Sequence, residues 1–137
     1  MDEKSQIILE ATYIEACREK IGGHPEAAEK LFRECLKYDP LNAAAKYELS
    51  KILPITGRLE EAAKMAKESV DANPKNQWYH LGYIDVLHLK KDFAASADAY
   101  ERLVKIFPER SDLMEAMAYD YALSQNYNKE FKIYDEL

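Results

Sequence analysis

The segment Leu59-Glu60-Glu61-Ala62-Ala63-Lys64-Met65-Ala66-Lys67-Glu68-Ser69-Val70-Asp71-Ala72-Asn73-Pro74 decides the fold. Its small and apolar residues Leu59, Ala62, Ala63, Ala66, Ser69 and Val70 recur at three- and four-residue intervals, which makes one stripe of an amphipathic helix. Pro74 has no N–H to donate to a continuing helix, so the stripe ends before it. Upstream, Leu49, Ile52 and Leu53 form another stripe, and Gly57-Arg58 breaks the chain between the two. The segment is the second half of a helix–turn–helix unit.

Stepping 34 residues in either direction reproduces that unit. Pro40, Pro74 and Pro108 are spaced by 34. A small residue stands twelve positions before each (Ala28, Ala62, Ser96) and a larger or apolar one eight before (Phe32, Ala66, Tyr100). Leu36, Val70 and Val104 share a column, as do Leu49, Tyr83 and Met117. Self-similarity at this period is the signature of stacked helix pairs. Asp39-Pro40-Leu41-Asn42, Asn73-Pro74-Lys75-Asn76 and Pro108-Glu109-Arg110-Ser111 separate the units, and the Asn or Ser after each proline is placed to cap the next helix. Pro25 suits the first turn of a helix, where its missing N–H is not needed. The expected architecture is all-α, a right-handed α-α superhelix (solenoid) of about eight helices. It reads as a single array over 1–137, with repeats at about 9–42, 43–76, 77–110 and an incomplete 111–137.

Composition agrees. Among 137 residues, 47% are hydrophobic and 32% charged, while Gly numbers only 4 and Pro 5, too few for an all-β domain or a disordered tail. The net charge is −6. Residues 1–40 carry 6 basic and 9 acidic groups, 41–76 carry 6 and 5, 77–108 carry 4 and 4, and 109–137 carry 3 and 7. No segment offers the clustered basic footprint that nucleic acid or an anionic membrane requires. The longest apolar run near the N-terminus is Ile7-Ile8-Leu9, shorter than a secretory core, and no stretch is long enough to span a bilayer. A soluble chain is expected, cytoplasmic or, as a trimmed mature form, periplasmic.

These columns resemble the tetratricopeptide repeat family, whose 34-residue unit has a small residue opening its second helix, a bulky one a turn later and a closing proline. Ala28/Phe32/Pro40, Ala62/Ala66/Pro74 and Ser96/Tyr100/Pro108 match that pattern. Gly23 and Gly57 match the turn glycine, while Lys91 and Gln125 replace it. The resemblance covers about residues 9–137. Tyr13-Ile14-Glu15-Ala16-Cys17-Arg18 leading into His24-Pro25-Glu26-Ala27-Ala28 is also similar to bacterial envelope members of the family.

The resemblance places function on a concave face lined by the first helix of each unit. There it assigns Tyr13, then Tyr47 and Lys51, then Trp78, Leu81, Asp85 and His88, and finally Tyr119. An aromatic side chain in each unit, with Lys51 and Asp85 between, suits the holding of an extended peptide or a partner helix. The alternative for each aromatic is packing against a neighbouring helix. The family's two-carboxylate clamp for chaperone C-termini maps onto Tyr13, Cys17, Glu48, Trp78 and Gly82. None of these is basic or an amide, so a chaperone adaptor is not expected.

Chemistry-bearing motifs are sparse. The nearest ligand pair is Asp85 with His88, two groups on one turn without a third, so no metal is expected. Gly22-Gly23 opens no phosphate loop, and no Ser or Cys has a matched base and acid. No catalysis and no cofactor are expected. Cys17 and Cys35 fall too far apart for a disulfide if the turn centres near Gly23-His24.

Three departures from the pattern carry expectations of their own. The strict register puts Thr12, Glu15 and Glu19 inside, whereas Ile7, Ile14, Cys17 and Ile21 look like the apolar set, so the first helix is expected to be rotated or out of step. Pro54 frees the carbonyl of Ser50 and is expected to kink its helix. Glu130 replaces a small residue in the last unit, and Phe131, Tyr134 and Leu137 form an apolar stripe expected to be exposed and to promote weak self-association. The functional expectation is a non-catalytic scaffold that binds a protein or peptide in its groove. The alternative is a spacer or assembly domain of a larger enzyme or envelope-assembly protein.

Overall fold

The computed structural model describes residues 1–124 and shows a row of helices. In chain order they are α1 (Glu3–Ile21), α2 (Pro25–Tyr38), α3 (Ala43–Ile52), α4 (Leu59–Ala72), α5 (Gln77–Leu89), α6 (Phe93–Ile106) and α7 (Ser111–Leu123). Among the described residues there is no strand. Helices α1/α2, α3/α4 and α5/α6 form pairs, α7 packs on α6, and each pair stacks on the next. The expectations for Glu130, Phe131, Tyr134 and Leu137 lie outside the described residues.

Helix starts follow the connectors. Asn42 Oδ1 accepts the N–H of Ala45 at 2.9 Å, and Asn76 Oδ1 accepts those of Trp78 and Tyr79. Asp2 and Asp92 cap α1 and α6 in the same way. Each such cap contributes about 1 kcal/mol. Ser111 departs from the expected pattern. It is the first residue of α7, Arg110 occupies the cap position without a side-chain bond, and its guanidinium binds Asp112 and Gln77 instead. Pro25 opens α2 as expected.

The turn inside each unit is built the same way three times. The N–H groups of His24, Arg58 and Asp92 donate to the carbonyls of Glu19, Leu53 and Leu87, 34-residue equivalents of one another. This closure needs a left-handed residue just before the donor, and Gly23 (φ 81°) and Gly57 (φ 77°) supply it. Lys91 takes the same conformation at φ 59°, at a steric cost that glycine avoids.

The core follows the repeat columns. Ala28, Ala62 and Ser96 are fully buried where the two helices of a pair approach, and Ala16, Ser50, Ile84 and Ala118 form a second fully buried column on the first helices. Ala16 therefore keeps α1 in step with the other units, which corrects the expectation of a rotated first helix. Leu9 and Ala16 are buried, and Tyr13 and Cys17 pack against them, whereas Ile7, Ile14 and Ile21 face solvent. The polar residues of that register find local partners. Thr12 Oγ1 donates to the Ile8 carbonyl, Glu15 pairs with Arg18, and Glu19 with His24. Pro54 does not kink α3. The helix ends at Ile52, and Leu53–Thr56 continues as a single 3-10 turn carrying the proline.

Candidate functional site

The first helices α1, α3, α5 and α7 carry the residues assigned to the concave face. Trp78 and Tyr119 are open to solvent, each 62% exposed. Asn76 fixes the start of α5 and with it the direction in which Trp78 leaves the backbone. Among the described residues these are the two most exposed aromatic side chains.

The other aromatics are partly committed to packing. Tyr13 is half-buried with its ring edge-on to Phe32 at 5.6 Å, and burial, aided by Cys17 and Glu48, raises its phenol above the ordinary tyrosine range. Tyr47 lies against Tyr79, ring centroids 5.0 Å apart. Its ring also rests on Gly82, where an added Cβ would come within 2.8 Å of the Tyr47 ring. Glycine at this point lets α3 and α5 approach through an aromatic ring. Lys51 is exposed, donates to Tyr47 Oη at 3.3 Å and sits 4.7 Å from the ring centroid.

Leu81 is half-buried and packs with Ile84, Leu87 and Leu113. Asp85 is exposed, yet desolvation by the neighbouring protein raises its carboxyl above the usual range, with His88 and Lys51 opposing the shift. His88 is tied back to α7, where its Nε2 donates to both carboxylate oxygens of Asp120 at 2.9 and 3.1 Å.

Asp120 escaped the sequence reading. It is 1% exposed, and Ser96 Oγ donates to its Oδ2 at 2.6 Å. The signal was present in the 34-residue column Arg18, Ile52, Val86, Asp120, where a carboxylate follows two core aliphatics. Ser96, Asp120 and His88 bring three chemically active residue types together, but the carboxylate stands in the middle. Nucleophilic catalysis needs the imidazole between hydroxyl and acid. The arrangement satisfies a buried charge and ties α5, α6 and α7 together.

Lys20 and Glu48 form a second unforeseen contact, an ion pair joining α1 to α3. Cys17 and Cys35 are free thiols, and burial pushes the Cys35 thiol up to about 11, which makes it a poor nucleophile. Among the described residues no three His, Cys, Asp or Glu side chains cluster as a metal ion would need, and no helix is long and apolar enough to cross a membrane.

The repeat columns, the left-handed turns and the stacked helix pairs all describe one architecture. The tetratricopeptide repeat family matches residues 22–77 and again 56–111. The chain is a tetratricopeptide repeat protein. Solved structures of the same fold include a MamA protein, 15% identical with a TM-score of 0.78, covering 93% of this chain and 69% of that one. MamA from Desulfovibrio magneticus RS-1 is 16% identical with a TM-score of 0.76, covering 97% of this chain and 73% of that one. An O-GlcNAc transferase from Thermobaculum terrenum is 17% identical with a TM-score of 0.73, and the shared part spans 88% of this chain but 23% of the transferase. No curated protein matches the chain in sequence. As a tetratricopeptide repeat protein it is a helical scaffold of the protein-interaction class.

Proposed function

We propose that the array holds a segment of another protein against its concave face, without catalysis. The observation that carries this reading is the pair Trp78 and Tyr119, two large aromatics left open on first helices of adjacent units. Aromatic side chains supply much contact area for little rotamer entropy and concentrate in binding hot spots. Tyr47, Lys51 and Asp85 lie between the flanking helices and give the surface charges of both signs. Tyr13, Leu81 and His88, each tied into the packing, form the floor beneath them.

The test uses Trp78 as reporter, since it is the only tryptophan of the chain. Peptides selected against the protein from a displayed library are titrated while its fluorescence is followed. Trp78→Ala with Tyr119→Ala, assayed by calorimetry, should weaken their binding more than about tenfold, the effect of losing a hot-spot aromatic. The melting temperature should stay nearly unchanged, because both side chains are exposed. Undiminished binding by the double variant would contradict the proposal.

A further inference from the structure

Helix α1 leaves one whole face in water. Ile7, Ile14 and Ile21 fall on it at seven-residue intervals and are 60%, 59% and 83% exposed. Ala11 and Arg18, also exposed, flank Ile14 at three- and four-residue spacing on the same face. Later first helices bury these columns. Ala45 and Leu113 share the column of Ala11, Glu48 and Gly82 that of Ile14, and Ile52, Val86 and Asp120 that of Arg18, and all are buried. They are covered by the unit before, since Gly82 meets the Tyr47 ring and Asp120 meets His88 and Ser96. The face is the stacking surface of the repeat, and on α1 it is bare.

The pattern on this face is symmetric about Ile14, and that symmetry names the occupant. We propose that the face binds a second copy of itself, two α1 helices packing antiparallel about a two-fold axis at Ile14. In a two-fold interface, residue i meets residue j while j meets i. Ile14 then lies against Ile14 of the copy, and each Ile7 against an Ile21. Glu10 and Arg18 stand four residues to either side of Ile14, so each Glu10 comes level with Arg18 of the copy. The small residues Ala11 and Cys17, three to either side, come level in the same way. Two shallow hollows flank Ile14, one reaching back to Gln6 and Glu10 and the other forward to Arg18 and Ile21. The copy's outer isoleucines come level with them. A seven-residue stripe drifts only about 20° per repeat, which two helices crossing at about 20° can follow.

Charge fixes the direction of the pair. A parallel arrangement would set Glu10 beside Glu10 and Arg18 beside Arg18, whereas the antiparallel one makes two opposite-sign pairs. The other charges of the face do not oppose it. Glu15 holds Arg18 of its own chain at 2.9 Å, so that guanidinium lies between two carboxylates. Glu3 comes level with Pro25, and Lys4 with His24, whose ring already pairs with Glu19. Helix α1 has 19 residues and is about 28 Å long, so the seam is short. Interfaces smaller than about 1,200 Å² belong to weak complexes, and the dimer is of that kind.

The test is sedimentation equilibrium of the intact chain, which should show a concentration-dependent dimer. Ile14→Ser should raise its dissociation constant more than about tenfold, since it takes two isoleucines out of the seam. Circular dichroism and thermal melting confirm that these surface variants fold. Glu10→Arg and Arg18→Glu should each weaken the dimer. An equimolar mixture of the two variants should associate again as a heterodimer, because every pair across the seam is then of opposite sign. Register is read by disulfide crosslinking in a Cys17→Ala background. Ile14→Cys should crosslink to itself, and Ile7→Cys only to Ile21→Cys, where the antiparallel pair brings the Cα atoms within bridging range. A chain that stays monomeric up to about 1 mM would overturn the proposal. So would a dimer indifferent to Ile14→Ser, or one in which Ile7→Cys crosslinks to itself. A dimer that Trp78→Ala with Tyr119→Ala dissociates and Ile14→Ser does not would assign self-association to the groove and refute it equally.

Discussion

The junction between the first two units and the junction between the last two described helices solve one packing problem in opposite ways. Around α1 to α4 no carboxylate is as deeply enclosed as Asp120: Lys46 and Glu48 are buried to 8% exposure at the rim of the core, and the other charges lie nearer the surface. Glu29 on α2 receives both Arg33 and Arg58, Arg33 also reaches Glu61 at 2.5 Å, and Lys46 pairs with Glu68. Around α5 to α7 the charge is inside, where Asp120 occupies the column that holds Ile52 and Val86 earlier. Its oxygens are satisfied by His88 and Ser96. The repeat backbone tolerates both because the buried polar group brings its own partners. Surface ion pairs add little each, while a buried carboxylate becomes costly when one partner is lost.

The largest expected effect tests that contrast directly. Asp120→Ala should destabilise the protein by about 3 kcal/mol in urea unfolding, because it removes the acceptor of His88 and leaves Ser96 only the Phe93 carbonyl beside a cavity. Asp120→Val with His88→Leu, which converts this junction to the apolar type, should recover most of the loss. A double variant as unstable as Asp120→Ala would show that the two junctions are not interchangeable.

A smaller effect is expected at the outer network. Arg58, and then Arg33, hold the Glu29 carboxyl down at about 2, against 4.5 for a free glutamate. A carboxyl lowered in the folded state stabilises it fully above pH 4.5 and loses that contribution as pH falls toward 2. Because the guanidinium of Arg58 is largely solvated, the contribution should stay under about 1 kcal/mol. Glu29→Gln should remove a corresponding part of the acid sensitivity between those pH values, as followed by circular dichroism. An unchanged acid profile would contradict the assignment.

The smallest effect concerns the third turn. Lys91 holds a left-handed conformation that Gly23 and Gly57 adopt freely. Lys91→Gly should therefore stabilise the protein by up to about 1 kcal/mol in thermal unfolding, the steric cost for a side chain in that region. A clear loss would show that the lysine side chain contributes more than its backbone strain costs.

Much of the fold was legible because the repeat imposes one backbone solution on several sequences. The prolines, the small residues Ala28, Ala62 and Ser96, and the turn glycines each mark a steric requirement that recurs every 34 residues. The register of α1 misled because Ile7, Ile14 and Ile21 are apolar at helical spacing, and periodicity does not say which of two faces meets a neighbour. The fully buried Ala16 decided that question, and an alanine carries little hydropathy signal. Of the residues assigned to the proposed groove, Trp78 and Tyr119 are exposed. The half-burial of Tyr47 on Gly82 and the capture of His88 by Asp120 depend on contacts between units. Those contacts join residues about one repeat apart, and neither local stripes nor motifs record them.

The central claim, that a protein segment lies on the concave face, is tested most directly by site-specific photocrosslinking. A benzophenone side chain is placed at Tyr119 on the groove, and separately at the exposed Lys64 on α4. Both variants are irradiated with a library-selected peptide bound. The account predicts a covalent adduct from position 119 and little from position 64. Efficient crosslinking from position 64 with none from position 119 would contradict it.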